Sequence, residues 1–362
     1  MNHLASRAVV IAAGGTGGHV VPALAVAAVL QSQNIPVVWL GTKSGLEASM
    51  VPAHGIEIRW IDIAGLRGKT VLETLAVPFK LVRALVQGMR QLHTLKPRAV
   101  LGMGGFVSGP VGLAALILRK PLVLHEQNAV AGMTNRWLSS VATRVFSAWP
   151  DVFEASRHAI VVGNPVRADM EALASQPHAI NTDPDQPLRV LVVGGSRGAA
   201  ALNKLVPEAI KLMQRSVAVH HQTGSADAAA VNVSYSHAPQ AQVQVSDFIS
   251  DMTAAYQNAD IVICRSGAMT VTELSALGLP SILVPFPYAV DDHQTQNARQ
   301  LSDAGAALVI QQSALNAEFL AKTLTSLSED RQKLELMSTA ARHCFVPEAA
   351  ATVAHSLLEV SR

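Results

Sequence analysis

The sequence predicts an α/β protein of two Rossmann-like domains facing a central cleft, and the first observation behind this is a repeat. Val10-Ile11-Ala12-Ala13-Gly14-Gly15-Thr16-Gly17-Gly18 returns as Val190-Leu191-Val192-Val193-Gly194-Gly195-Ser196-Arg197-Gly198, register for register. Each copy is a short apolar run, a glycine turn, and a helical pattern beginning at His19 or Ala199. A continuous apolar run is the mark of a buried parallel strand. Glycines directly after it let backbone N–H groups approach an anion at the next helix N-terminus. The second observation is that strands and helices alternate along the whole chain, which makes the sheets mostly parallel. The third is length: 362 residues exceed one ordinary core and suit two domains. Two such halves would each bring a ligand to one cleft, the geometry of a group-transfer enzyme.

In the first half, apolar strands are expected to end near Ala13, Gly41, Ile61, Gly102, His125 and Ser147. A helix is expected over 71–95 with two apolar stripes. Leu72, Leu75, Phe79, Val82 and Val86 form one, and Leu81, Leu85, Met89 and Leu92 the other. One stripe suffices for a core contact, so the other is expected to face lipid, with Lys80, Arg83 and Arg90 at its flank. Residues 176–187 are polar, proline-containing and unpatterned, and read as an interdomain linker. The second half reads as strands at 188–193, 217–221, 242–245, 261–264, 281–284 and 307–310. A break at Pro347 sets off a last helix, 347–360, that can cross back onto the first domain. The expected division is therefore a first domain of 1–165, a linker region of 166–187, a second domain of 188–346, and a C-terminal helix in 347–362.

Hydrophobic residues make up 49% and mean hydropathy is +0.28. Even so, the best membrane-spanning candidate, 99–118, carries five glycines and Pro110, and reads as strand, glycine loop and helix start. Arg7 is followed by an apolar run too short for a signal peptide. Cys264 and Cys344, far apart, suggest no disulfide framework and fit the cytosol. Net charge is only +2, yet the window 65–120 sets nine basic residues (Arg67, Lys69, Lys80, Arg83, Arg90, Lys96, Arg98, Arg119, Lys120) against Glu73 alone. Only Phe79 and Phe106 interleave them, which argues against nucleic acid and for an anionic membrane surface.

Spacing excludes two cofactor loops. A dinucleotide fingerprint counted from Gly15 and Gly17 needs glycine where Val20 stands, and Leu40-Gly41-Thr42 offers no ribose-binding acid. Gly68-Lys69-Thr70 mimics the tail of a P-loop, but Ile63 stands at its first glycine. Asp183-Pro184-Asp185 matches a metal-binding pair by letters yet lies in the linker, and Asp291-Asp292 reads as solvated loop acids. No metal is expected.

Several constellations remain. His19 opens a helix beside an anion-binding turn and is a base candidate; His125 and Glu126, from the polar run His125-Glu126-Gln127-Asn128 at a strand end, are its rivals. The glycine loop 102–110, with Gly104, Gly105 and Ser108, joins Gly14 and Gly15 as a possible pyrophosphate cradle. In the second half, the run from Arg265-Ser266-Gly267 to Glu273 follows a strand. Its helix N-terminus suits a diphosphate, and Glu273 can accept both hydroxyls of a ribose. His293, Gln294 and Asn297 at another helix start suit sugar hydroxyls. Helix N-termini could support a departing diphosphate without metal.

These motifs, together with Gly163-Asn164-Pro165-Val166-Arg167, resemble the MurG family, the bacterial N-acetylglucosaminyltransferases that convert lipid I to lipid II in peptidoglycan synthesis. The resemblance runs from about Val9 to beyond Asn297. It implies the GT-B fold, no cofactor, and a peripheral place on the cytoplasmic face of the plasma membrane. It implies UDP-N-acetylglucosamine as donor and a polyprenyl-diphosphate lipid as acceptor, the first domain meeting acceptor and membrane and the second the donor. By position it implies that Thr16, Gly17, Gly18, Asn128 and Arg167 touch the donor from the first domain. Ser196 would meet a phosphate and Ile249 the uracil edge. Ala268, Met269, Thr270, Val271, Thr272 and Glu273 would hold diphosphate and ribose, and Gln294 the sugar. Arg197 departs from the family, which commonly has glutamine there. A UDP-sugar epimerase of this architecture would lack the basic, apolar window, and a glycolipid transferase acting on diacylglycerol would lack the pairing of 102–110 with 125–128.

Overall fold

The computed structural model describes residues 7–63, 77–195 and 199–361. They fall into two compact units, one within 1–168 plus 346–362 and the other within 169–345.

In the first unit a wholly parallel sheet has the order β3-β2-β1-β4-β5-β6-β7. Its strands are β1 Val9–Ala12, β2 Val37–Gly41, β3 Glu57–Trp60, β4 Ala99–Gly102, β5 Leu122–Glu126, β6 Arg144–Ser147 and β7 Ile160–Val161. The first six end within two residues of the expected positions. The seventh was not among the expected strands: it is two residues long, exposed at the sheet edge, and lies in the short apolar run 159–162 before Gly163. β1 lies central, fully buried, with Val9 opposite both Val37 and Ala99. The chain fills one side of β1 and then returns to place β4 on the other, so the loops after β1 and β4 flank the topological switch point where such sheets bind ligands.

Helices α1 Gly17–Ser32, α2 Glu47–Ala53, α3 Val77–Leu95, α4 Ser108–Ile117 and α5 Met133–Leu138 belong to this unit. Leu72 and Leu75 of the expected long helix, like Arg67, Lys69 and Glu73, lie outside the described residues. Within α3 the two stripes separate. Leu92 is buried, with Leu85 and Met89 packed beside it, whereas Phe79, Val82 and Val86 are 80%, 61% and 57% exposed. Leu81, which the sequence sets on the same stripe as Leu85, Met89 and Leu92, is exposed at its edge.

The second unit repeats the plan with the order β10-β9-β8-β11-β12-β13, again parallel throughout. Here β8 is Leu188–Val193, β9 Val217–Gln222, β10 Ala241–Ser246, β11 Ile261–Cys264, β12 Ser281–Leu283 and β13 Ala307–Val309. The helices are α6 Ala168–Ala174, α7 Ala200–Leu212, α8 Ala228–Ser234, α9 Met252–Gln257, α10 Ala268–Leu277, α11 His293–Ser302, α12 Ala317–Glu329 and α13 Arg331–His343. The switch point falls between β8 and β11. The last helix, α14 Ala349–Glu359, belongs to the first unit. Val353, Ala354 and Leu357 are fully buried in one cluster with Val20, Ala23 and Ala27 of α1, and Arg144 pairs with Glu359 at 2.8 Å.

The segment expected as a linker is tied to the second unit. Buried Asp260 accepts the N–H groups of Asn181 and Arg189 at 2.9 Å and pairs with the guanidinium groups of Arg189 and Arg331. The Asp183 carboxylate accepts the N–H of Asp185 two residues on, which makes a local turn of the supposed metal pair.

Candidate active site

At the first switch point two glycine loops lie on one another. Gly105, at φ +80°, approaches the Gly14 carbonyl so closely that no Cβ fits, and a Cβ on Gly104, at φ +90°, would sit 3.1 Å from the His19 ring. The Ser108 hydroxyl is fully buried, 2.6 Å from the carbonyl oxygens of both Ala12 and Gly104. It braces the two loops and does not face a phosphate, contrary to the expectation. The Gly15 N–H points inward to the Glu47 carboxylate at 2.9 Å and is likewise committed. Gly17 and Gly18, at the start of α1, carry first-turn N–H groups that a helix leaves to outside partners. Thr16 precedes them as an exposed N-cap whose side chain makes no cap bond.

The three base candidates differ in environment. His125 is fully buried, with Nε2 2.9 Å from the Gly163 carbonyl and Nδ1 3.2 Å from the Gln127 amide. Burial pushes its imidazole down to about 4, with the Gly163 bond opposing the shift. Glu126, also buried, spends one carboxylate oxygen on the N–H and amide of Asn128, and the other on the Gly132 N–H and the Asn135 amide. Both are built into the loop that follows β5. His19 is half-buried at the opening of α1. Asn128 is half-buried on the loop that Glu126 shapes, and Arg167 is exposed.

In the second unit the loop after β8 is held from the end of β9. The Gln222 amide accepts from the Gly195 N–H at 3.0 Å and donates to the carbonyls of Gly195 and Asp247. Ser196 and Arg197 lie outside the described residues. After β11, Gly267 caps α10, and the first-turn N–H groups of Ala268, Met269 and Thr270 stand at its N-terminus. One turn on, Glu273 is half-buried and accepts a hydrogen bond from the hydroxyl of buried Tyr256 at 3.2 Å. Val271 and Thr272 point into the core, the Thr272 hydroxyl donating to the Ala268 carbonyl, so their side chains do not serve a ligand as the expected run implied. The Gln294 side-chain oxygen accepts the Phe286 N–H, and the Ser266 hydroxyl donates to the Gln294 carbonyl, which ties the starts of α10 and α11 together. Asn297 is fully buried and donates to Ser266. A cavity of about 720 Å³ opens beside Ile249 along the face of β8, β9 and β10, and Glu273 does not line it.

Glu47, Gln222 and Tyr256 escaped the sequence reading. Gln222 carried a signal, since His220-His221-Gln222-Thr223 is a polar run at a strand end like 125–128. Glu47 and Tyr256 carried none. Among the described residues no cluster of His, Cys, Asp and Glu suits a metal, and no helix is long and apolar enough to cross a membrane.

Comparison with known proteins agrees with this architecture. The glycosyltransferase family 28 N-terminal domain matches residues 9–147, and the family's C-terminal domain matches 189–353. A Shewanella baltica protein named UDP-N-acetylglucosamine--N-acetylmuramyl-(pentapeptide) pyrophosphoryl-undecaprenol N-acetylglucosamine transferase is 49% identical over 353 residues, covering 97% of this chain and 96% of its own. A Methylococcus capsulatus protein of the same name is 49% identical, covering 98% of this chain and 99% of its own. The crystal structure of Acinetobacter baumannii MurG superposes with a TM-score of 0.85 at 43% identity, covering 98% of this chain and 99% of that one. Relatives this similar over nearly the full length, with both domain models matched in order, show that the chain belongs to the MurG family of glycosyltransferases and has its GT-B fold.

Proposed function

We propose that the chain transfers N-acetylglucosamine from UDP-N-acetylglucosamine to the 4-hydroxyl of the muramyl sugar on an undecaprenyl-diphosphate carrier, the step that makes lipid II from lipid I. The observation that carries this reading is α10. Its N-terminal N–H groups suit a diphosphate, and Glu273, steadied by Tyr256, suits ribose hydroxyls. The acceptor hydroxyl attacks the anomeric carbon as the bond to UDP breaks, which inverts that carbon. The hydroxyl proton passes to a base, and the charge growing on UDP is met by preorganised helix N–H groups. His19 is that base, because His125 and Glu126 are both consumed in shaping the 127–132 loop. Glu126 then acts by presenting Asn128.

The first unit also offers a surface for the lipid carrier. Phe79, Val82 and Val86 on α3, Leu113, Leu116 and Ile117 on α4, and Met133 and Trp137 on α5 are all exposed, with Lys80, Arg90 and Arg119 exposed on the same segments. Apolar exposure on this scale, fringed by cations, suits an anionic leaflet such as the inner face of the plasma membrane. Arg83 contributes less than its position suggests, since Asp62 pairs with it at 2.6 Å. The test is transfer of radiolabelled N-acetylglucosamine from UDP to a polyprenyl-diphosphate-muramyl acceptor in chelator-treated buffer. Transfer with inversion is expected; no transfer, or transfer only on added divalent metal, overturns the reading.

A further inference from the structure

We propose that Glu47 is a positioning residue for the transfer reaction, a buried carboxylate that sets the first glycine turn and through it the placement of His19. The proposal rests on the reaction proposed above. Glu47 is fully buried, and among the described residues no cation pairs with it. Three donors compensate it instead. Oε2 accepts from the Gly15 N–H at 2.9 Å, while Oε1 accepts from the Thr42 N–H at 2.9 Å and the Thr42 hydroxyl at 2.6 Å. A carboxylate taken out of water needs such a set of donors, and an ionised one is acceptor-only, so the match is complete.

The surrounding sequence makes room for it. A Cβ on Gly14 would stand 2.6 Å from Glu47 Oε1, one on Gly41 2.8 Å from its Cγ, and one on Gly45 closer still. Three glycines thus clear the pocket that a fourth, Gly15 at φ +95°, closes by donating its N–H. That turn runs directly into α1, whose third residue is His19, and both loops at the switch point register on it. Gly105 packs on the Gly14 carbonyl, and Gly104 lies against the His19 ring. Releasing Gly15 therefore frees the His19 helix start and the second glycine loop together.

Glu47→Gln keeps the shape but turns one acceptor into a donor that must face an N–H or hydroxyl. Three readouts on the full chain test the proposal. Amide hydrogen exchange at Gly15 should rise at least about tenfold. The transfer kcat at saturating donor should fall roughly 10- to 100-fold, as expected for misplacement by an ångström. The dissociation constant for UDP-N-acetylglucosamine should stay within about twofold of wild type. If Glu47→Gln does not fold, Thr42→Val carries the test. It removes one donor and should lower kcat roughly two- to tenfold with donor affinity intact, and Thr42→Ser should restore it. Wild-type turnover in the folded variants, or a kcat loss matched by an equal loss of donor affinity, overturns the proposal. A wild-type chain that transfers nothing overturns the reaction instead, and is told apart because Gly15 exchange is read without substrate.

Discussion

Gly15 in the first unit and Gly195 in the second occupy equivalent places in the repeated strand, turn and helix. Each gives its N–H to a side chain that arrives from the end of the neighbouring strand or just beyond it. The two holders differ in kind, and the difference follows from what surrounds them. Three donors converge on residue 47, so only a carboxylate satisfies them all. One donor and two carbonyls converge on residue 222, so only an amide does. The consequence is electrostatic. The turn that leads to the proposed base is held by a carboxyl group and the turn beside the proposed diphosphate site by a neutral amide, where a carboxylate would repel the donor.

The largest effect that could break this comparison is at His19. His19→Ala should lower kcat by 10²-fold or more with little change in donor KM, in steady-state transfer kinetics. A change confined to KM would make His19 a ligand contact and return the base to His125 or Glu126. Next in size is a pH effect present in both units. His125, and His221 bonded to Tyr235 and Asn203, are each pushed by burial down to about 4. Between pH 6.5 and 4 the unfolded chain binds protons that the folded chain refuses. Stability should therefore fall as pH drops through that window, by roughly 3 kcal/mol for each histidine, and level off near pH 4. Urea titrations at pH 7 and 4.5 read this, and His125→Gln should remove only the first unit's share. Equal midpoints at both pH values would contradict it.

Glu273→Ala should raise the donor KM roughly 10- to 150-fold, as for loss of a charge-assisted hydrogen bond, and Tyr256→Phe by a few-fold through the same carboxylate. An unchanged KM in Glu273→Ala would remove the ribose assignment. Gln222→Glu sharpens the comparison directly. Its carboxylate would oppose the Gly195 and Asp247 carbonyls and add charge beside the donor, so UDP affinity by calorimetry should weaken about tenfold. Glu47→Gln, by contrast, should spare it; equal donor losses in both variants would show that the two turns do one job. The smallest effects lie on the surface of α3. Lys80→Ala and Arg90→Ala should each weaken binding to anionic vesicles by about 1 kcal/mol, and Arg83→Ala by less because of Asp62. Sedimentation with anionic and neutral vesicles checks this, and no preference for the anionic ones would refute it.

Strand positions were legible because a parallel strand buried on both faces must be an apolar run, as Val9–Ala12 and Leu188–Val193 are. The exposed pair Ile160–Val161 escaped notice because the apolar run that holds it, 159–162, is too short for its pattern to mark a strand. The site was legible in outline. Glycine loops after β1 and β8 and the polar run at 125–128 announced themselves by composition at strand ends. Their roles did not. Ser108 in a glycine loop looked like a phosphate ligand, yet its hydroxyl turns to the Ala12 and Gly104 carbonyls, whose nearness no local pattern reveals. Glu47, a lone acid opening a short helix, was indistinguishable from an ordinary first-turn acid.

By itself the sequence determined two parallel α/β units, their glycine turns, and that α3 carries more apolar surface than one core contact needs, because periodicity and apolar runs are local properties that burial enforces. The tertiary structure alone decided which polar groups hold the loops and which remain for a ligand. A hydrogen bond is settled by whatever donor or acceptor stands within 3 Å in space. Between Gly15 and Glu47, or Gly195 and Gln222, that neighbour is about thirty residues away in the chain.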